Sequence, residues 1–341
     1  MSYPSLFAKL YLAVILVLLP ATMFPAFPAR ADDTLGIVTG PKTGTYYAFG
    51  KDIAQAAAKA GIDVDIKQSE GSIDNIKRIN SSENAALGIV QSDVLGFLSR
   101  SKSPESMRMA ANLRMVFPFY NEEVHVLARK DIRSFADLQG KKVAIGEDGS
   151  GNMLTSINLF SIMNITPSES RKIPPAQGVV AVLKGEVDAA IFVGGKPVRL
   201  FKNLEDLTLP ENQKYAAMLE QVHFIPLDNP KVLEEYKPAE LTKADYNFVT
   251  ENVPTVAVQA VMVSYDFSQG NKKRCEKLTA LAQVLRKDLP ELKEKGHPKW
   301  KEVNLDADTG SWKKDSCAWP DSVKTEGDKN NLMKILDKGK P

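Results

Sequence analysis

The chain runs to 341 residues, a quarter of them charged, with 44 basic against 42 acidic side chains and a formal net charge of +2. A balanced chain without a basic stripe argues against nucleic acid, and against an anionic membrane surface, as a partner. The cysteines and the scattered histidines His125, His223 and His297 show no metal-ligand spacing, so neither a metal nor another cofactor is expected.

The N-terminal stretch sets the compartment. "MSYPSLFAKL" carries one charge, Lys9, ahead of "YLAVILVLLP", an apolar run too short to span a bilayer comfortably. Ala29 and Ala31 then form a small-x-small pattern. Together these predict a secretory signal peptide over residues 1–31 and a mature chain starting at Asp32. An uncleaved N-terminal anchor is the alternative. No later segment is long and apolar enough to cross a membrane, so the mature chain is read as a soluble protein exported to the periplasm. Lys9 and Arg30 leave with the signal, and 42 basic residues then face 42 acidic ones. Cys275 and Cys317 are the only cysteines. In an oxidising compartment they most simply form one disulfide, with two free thiols or a metal pair as the other readings.

Short apolar runs then alternate with helical patterns. "TLGIV" reads as a strand, and Thr45 to Ala60 as a helix with Phe49, Ile53, Ala56 and Ala60 at helical spacing. "IDVDIKQ" alternates at period two. Ser72 is read as the cap of a helix through Ile79, "AALGIVQ" as a strand, and Ser92 as the cap of "DVLGFLSR". A second set follows: "VHVLAR" as a strand, "SFADLQG" with a capping-box pairing of Ser134 and Asp137, "KKVAIG" as a strand, and a helix over about Met153 to Met163. "VVAVLKGEVDAAIFVGG" reads as helix, turn and strand, "VAVQAVMVS" as a late strand, and Lys272 to Leu289 as a long helix before a polar tail. Alternating strands and helices predict mostly parallel sheet covered on both faces. Two such sets predict two α/β lobes, whose loops at strand C-terminal ends face each other across a ligand cleft.

"TGPKTGTYYAFG" is the most pointed of these loops. It fails the phosphate-loop spacing, since Pro41 separates Gly40 from Lys42, and it fails the dinucleotide pattern too. A Gly-rich turn running into a helix still presents backbone N–H groups and a positive dipole end, which suits an anion. Gly44 lets the backbone approach, Thr45 can cap or bond a ligand, and Tyr46 and Tyr47 offer rings and hydroxyls; a plain capped turn over core aromatics is the bland reading. "GEDGSGNM" repeats the device around Gly149, Ser150 and Gly151. It is not a nucleophile elbow, because Asp148 and Asn152 stand where glycines are needed, and no base adjoins Ser150. Gln91, Ser92 and Asp93 stand at another strand end, where Ser92 as a simple cap is a strong alternative. Glu123 and His125 fall on one face of a strand where the chain would pass between lobes. They could form a general-base pair, but a structural or ligand hydrogen bond is the preferred reading.

Taken in order, "TGPKTGTYYAFG", "EGSIDNIKRI", "ALGIVQSD", "NEEVHVLAR", "DLQGKKVAIGEDGSG" and "LKGEVDAAIFVGGKP" resemble the TAXI family, the exported solute-binding proteins of tripartite ATP-independent periplasmic (TRAP) transporters, over about Leu35 to Ser264. The resemblance implies a type II periplasmic-binding-protein fold with two α/β lobes joined by crossover strands. Its boundaries would be a first lobe over 32–125, a second over 126–257, and a return to the first lobe with a C-terminal tail over 258–341. It implies no catalysis. A small carboxylate, an amino acid or another organic anion, would bind in the cleft of a monomer and pass to TRAP membrane permease subunits. Carried over, ligand contacts fall on Gly44, Thr45, Tyr46, Gly71, Ser72, Gln91, Ser92, Asp93, Glu123, His125, Ser150, Gly151, Gly194 and Gly195. Lys42 joins them as a departure from the family's loop that points to a more acidic ligand or to an outside charge. The tail after His297, with Trp300, Trp312, Trp319 and Cys317, matches nothing in the resemblance. A periplasmic sensor or adaptor for a membrane signalling protein, and a secreted hydrolase using Ser150 or Glu123 with His125, are the alternatives from other classes.

Overall fold

The computed structural model describes residues 34–320 apart from 43, 82–84, 269 and 309. The expected signal peptide over 1–31 therefore lies outside the described residues. The first strands and helices are β1 (Leu35–Val38), α1 (Thr45–Lys59), β2 (Val64–Lys67), α2 (Ser72–Ser81), β3 (Leu87–Gln91), α3 (Val94–Ser101) and α4 (Pro104–Asn112). Strand β4 (Leu113–Arg129) leads to β5 (Lys142–Ala144), α5 (Gly151–Met163), β6 (Glu169–Arg171), α6 (Pro175–Leu183), β7 (Ala189–Gly194), α7 (Arg199–Lys202) and α8 (Gln213–Glu220). Then come β8 (Val222–Phe224), α9 (Pro230–Leu233), β9 (Lys237–Leu241), β10 (Val253–Tyr265) and α10 (Lys272–Lys295).

This is an α/β fold on one curled sheet, in the order β2-β1-β3-β10-β4-β7-β5-β6, with β8 beside β4 and β9 beside β10. Its flanks are parallel: β1 with β2 and β3, and β5 with β6 and β7. Its middle is antiparallel, because β4 and β10 run against each other and against β7 and β3 respectively. The expectation of mostly parallel pairing thus fails at the centre, where two long strands traverse the sheet in opposite directions.

Each flank is covered on both faces. In the first half, Ile37, Phe49, Ile53, Phe117 and Leu281 form one core, and Ile76, Ile79, Val90 and Leu98 another. In the second half, Val126, Val143, Phe160 and Ile191 form one, and Ala144, Val182, Phe201 and Tyr246 the other. Strand β4 changes cores along its length, from Val116–Tyr120 in the first half to Val124–Ala128 in the second, and β10 does the same in reverse. The sequence pattern found only the second part of β4. Pro118, which lacks a ladder donor, lies where the pairing with β10 shifts register, and the polar Asn121-Glu122-Glu123 interrupts the apolar run.

Other boundaries follow local chemistry. The Ser134/Asp137 capping box forms both of its hydrogen bonds. Helix α10 continues through Pro290 to Lys295, past the expected end at Leu289. Among the described residues no helix is long and apolar enough to cross a membrane.

The tail folds back on the first half. Trp300 is fully buried, stacks on Phe49 at 4.3 Å, and donates its indole N–H to Asp52 at 2.8 Å. The indoles of Trp312 and Trp319 donate to the carbonyls of Ser92 and Val116. Cys275 and Cys317 are joined in a disulfide that closes a 42-residue separation. On chain-entropy grounds that closure contributes about 3–4 kcal/mol. Urea unfolding of the Cys275→Ser/Cys317→Ser protein should show a loss of this order, and thiol titration of the unfolded, unreduced wild type should find no free thiol.

Candidate functional site

The loops after β2 and β5 meet, and the end of β3 packs against the second of them. Gly71, at φ +118, brings its backbone so close to the facing loop that a Cβ there would lie 3.5 Å from the Gly151 nitrogen and 3.6 Å from the Ser150 Cα. Gly149, at φ +81, turns its carbonyl toward the start of α2, where it accepts the N–H groups of Ile73 and Asp74 at 3.2 and 3.4 Å. The second half thereby caps a helix of the first. Gly151 packs against the Gln91 amide so closely that any side chain there would overlap it.

Asp93 extends this junction. Its Oδ2 accepts from Tyr236 at 2.9 Å, from Thr155 at 2.9 Å and from Asn158 at 3.3 Å, all from the second half. Burial raises its pKa while those three donors hold it down, and its other oxygen is buried without a partner. Arg100 on α3 adds an ion pair with Glu235 at 2.8 Å.

Two tyrosines and two glutamates form the inner wall. Tyr46 donates to Glu122 Oε2 at 2.7 Å. Glu122 is 6% exposed, and burial first, then the neighbouring Glu123 charge, push its pKa up to about 8. Tyr120 packs tilted against Phe49 at 4.7 Å and is 1% exposed, and its hydroxyl has only the Thr45 side chain beside it, with no acceptor for its own proton. Glu123 accepts from the Lys196 N–H at 2.9 Å and stands 3.9 Å from the Lys299 ammonium, which is buried and also bonds Glu302 at 2.6 Å. Lys299 comes from a short 3-10 turn, Pro298–Glu302, and its stem fills the space that a side chain at Gly195 would need.

His125 is not part of this wall. It is fully buried among Phe192, Phe201, Phe224 and Tyr246. The Tyr246 hydroxyl accepts the Val198 N–H, so its own proton goes to His125 Nε2, and His125 Nδ1 donates to the Glu123 carbonyl. Burial lowers the imidazole pKa to about 3. His125 and Glu123 share a face without bonding through their side chains, so no general-base pair forms between them, and the hydrogen bonds of His125 fit the preferred structural reading.

The other expected residues divide. Lys42 is exposed on the turn before α1. Gly44 is the N-cap of α1 at φ −88, with Thr45 the first helical residue. Ser72 lies inside α2 and accepts from the Gln91 N–H, and Ser92 accepts from the Gln259 N–H, so neither caps the helix assigned to it. Ser150 caps α5, accepting from the Met153 N–H at 3.2 Å and donating to the Glu147 carbonyl at 2.6 Å. Gly194 pairs opposite Glu123. Tyr120, Glu122, Thr155, Asn158, Tyr236 and Lys299 escaped the sequence reading; only Glu122, adjoining Glu123, carried a local signal. A separate cleft of about 330 Å³ near the disulfide is lined by Thr279, Arg286 and Trp319, but Arg286 is spent packing against the Phe117 and Trp319 rings.

The state of Glu122 has a measurable consequence. An acid whose pKa is raised from the usual 4.5 to about 8 binds its proton more tightly folded than unfolded. The resulting stability is fully present below the unfolded value and is lost as pH rises through the folded one. Wild type should therefore lose stability relative to Glu122→Gln across that window, by an amount on the order of a few kcal/mol. Parallel pH profiles of urea unfolding for the two proteins would show that Glu122 is protonated in the fold.

Comparison with known proteins places these residues in context. The chain is similar in structure to a histidine kinase sensor domain with similarity to periplasmic binding proteins, at 13% identity over 80% of this chain and 97% of that one, with a TM-score of 0.44. It is similar to the substrate-binding protein of an amino acid ABC transporter at 14% identity, over 78% of this chain and 99% of that one, with a TM-score of 0.44. An ancestral arginine-binding protein bound to arginine gives the same identity, coverage and TM-score. A family model described as the NMT1-like family matches residues 37–303, which takes in both halves of the sheet and the 3-10 turn that carries Lys299. The chain belongs to the NMT1-like family.

Proposed function

We propose that the protein is an extracytoplasmic solute-binding protein that closes two lobes on a small organic anion. The observation that carries this reading is the convergence, at one junction between the halves, of the Gly149 cap on α2, the Asp93 bridge to Tyr236, Thr155 and Asn158, and an inner wall holding a Tyr120 hydroxyl whose proton meets no acceptor. The first two are contacts that a closed state would gain and an open one lose. The lobes would be 32–125 with 258–341, and 126–257, hinged where β4 and β10 change cores, as in a type II periplasmic-binding-protein architecture.

The anion's seat in this reading is the start of α1. Its N-cap is a glycine with no side-chain acceptor, and its first turn holds no acidic residue, so the dipole end is open to a ligand's carboxylate. Binding is favoured over hydrolysis because Ser150 directs its hydroxyl to a backbone carbonyl and His125 is buried and neutral. Export, a periplasmic location and delivery to a TRAP permease rest on the leader pattern and on the resemblance to the TAXI family.

Native mass spectrometry of protein purified without refolding would identify a retained ligand, and a small carboxylate is the expected mass. Gly44→Asp then tests the seat. The φ of −88 suits any residue, although a Cβ meets the Pro41 carbonyl at 3.2 Å. An aspartate at the N-cap would occupy the first-turn donors, sparing the fold or strengthening it by up to about 1 kcal/mol. It should weaken carboxylate binding at least about tenfold through competition and repulsion. Calorimetry showing a folded Gly44→Asp protein with wild-type affinity would remove the start of α1 from the site.

A further inference from the structure

Glu122 is an unusual lining for an anion site. Its side chain is almost wholly buried, and its Oε2 accepts one hydrogen bond, from Tyr46. Among the described residues no ion pair reaches it: the Lys299 ammonium bonds Glu302 at 2.6 Å and approaches Glu123 at 3.9 Å. The titratable and charged groups around it are Tyr46 from α1, Asp93 from the turn after β3, Tyr120 and Glu123 from β4, and Lys299 and Glu302 from the 3-10 turn. Acids outnumber the single cation in that set. A buried carboxyl with one donor, no touching cation and acidic neighbours keeps its proton.

The start of α1 supplies the rest. Tyr120 packs its ring on Phe49, and its hydroxyl is buried beside the Thr45 side chain, whose hydrogen bond holds its pKa down while its own proton meets no acceptor. The open N-terminus of α1, the Tyr120 O–H and the Glu122 carboxyl therefore border one small region. With Oε2 taken by Tyr46, the acid proton of Glu122 belongs on Oε1.

We infer that Glu122 determines specificity as a neutral carboxylic acid, donating a hydrogen bond to the ligand's carboxylate at the start of α1, so that the site binds an anion only together with that proton. This rests on the carrier reading and adds to it the selected species: a carboxylate, rejected once Glu122 ionises. The burial that lifts the Glu122 pKa to about 8 places the transition above neutral pH. Below it the acid is already protonated and affinity is flat. Above it each ligand must bring in a proton, and affinity falls about tenfold per pH unit.

The test uses L-glutamate, succinate and acetate as probes, titrated calorimetrically into the full chain from about pH 6 to about pH 9.5, in paired buffers of different ionisation enthalpy. At least one carboxylate should bind, with flat affinity to about pH 7.5, the decline above about pH 8, and buffer-dependent heats at the alkaline end that report about one proton taken up per ligand. Glu122→Gln, which keeps a donor but cannot ionise, should remove both the decline and the proton uptake, whatever its absolute affinity. A purely structural role for Glu122 would alter affinity without altering the pH profile. Carboxylate binding that is pH-independent, or a Glu122→Gln protein that still takes up the proton, overturns this inference and leaves the carrier reading standing. Failure of all three probes to bind overturns both.

Discussion

The ladder between β4 and β10 is the constraint on which the rest of the molecule depends. Both strands are almost wholly buried, and Leu113–Glu123 of β4 pair with Ala257–Tyr265 of β10. Their side chains enter cores on both faces of both halves, so neither strand can slide without disturbing every layer. The ladder shifts register twice, between Met262 and Val263 and, opposite Pro118, between Gln259 and Val261. The Gln259 N–H there goes to Ser92, and the Ser92 N–H to the Gln259 carbonyl, so a strand-end residue repairs the ladder just beside the site. A side chain that looks like a helix cap in sequence is thereby needed for a tertiary hydrogen bond, since an orphaned backbone donor in this interior would be costly.

The C-terminal segment is the second structural device. Once α10 has crossed the first half, the described residues add only a single parallel bridge of Lys314 to Met115 of β4, and the segment is held mainly by large apolar anchors and directed donors. Trp300 fills the space beneath Phe49, the indole N–H groups find Asp52, Ser92 and Val116, and the disulfide returns the segment to the start of α10. These contacts together fix the 3-10 turn that delivers Lys299 between Glu123 and Glu302. The tail therefore does more than stabilise: it places the inner wall's buried ammonium.

Much of the first half was legible in the sequence because its signals are local. The periodicity of Phe49, Ile53 and Ala56 locates α1, and the run at Leu87 to Gln91 locates β3, each close to its observed boundaries. Some loop glycines were legible for a related reason, since a left-handed turn favours glycine, as at Gly71 with its φ of +118. What could not be read arises from long-range pairing. Asp93 meets Tyr236 only through the meeting of the two halves, and nothing near either residue announces it. Lys299 sits in a polar stretch whose composition resembles any solvated tail. The first part of β4 was lost because Pro118 and the Asn121-Glu122-Glu123 run break the alternation that marks a strand, and Glu122 was lost with it.

The three carboxyl groups at the junction show why counting charges would mislead about what this site accepts. Asp93 stays low in energy through donors, accepting from a phenol, a hydroxyl and an amide. Glu123 has a backbone N–H and an ammonium within reach. Glu122 has only the Tyr46 phenol, and retention of a proton is the remaining way to avoid an uncompensated buried charge. By formal count the wall is acidic and should repel an anion. By chemistry one acid is masked by donors, one is paired and one is neutral, while the start of α1 and the Tyr120 hydroxyl still have donors to offer. The same burial that makes a third carboxylate untenable thus turns Glu122 from a repulsive group into a hydrogen-bond donor, and an anion site can be built from a wall that reads as negative in sequence.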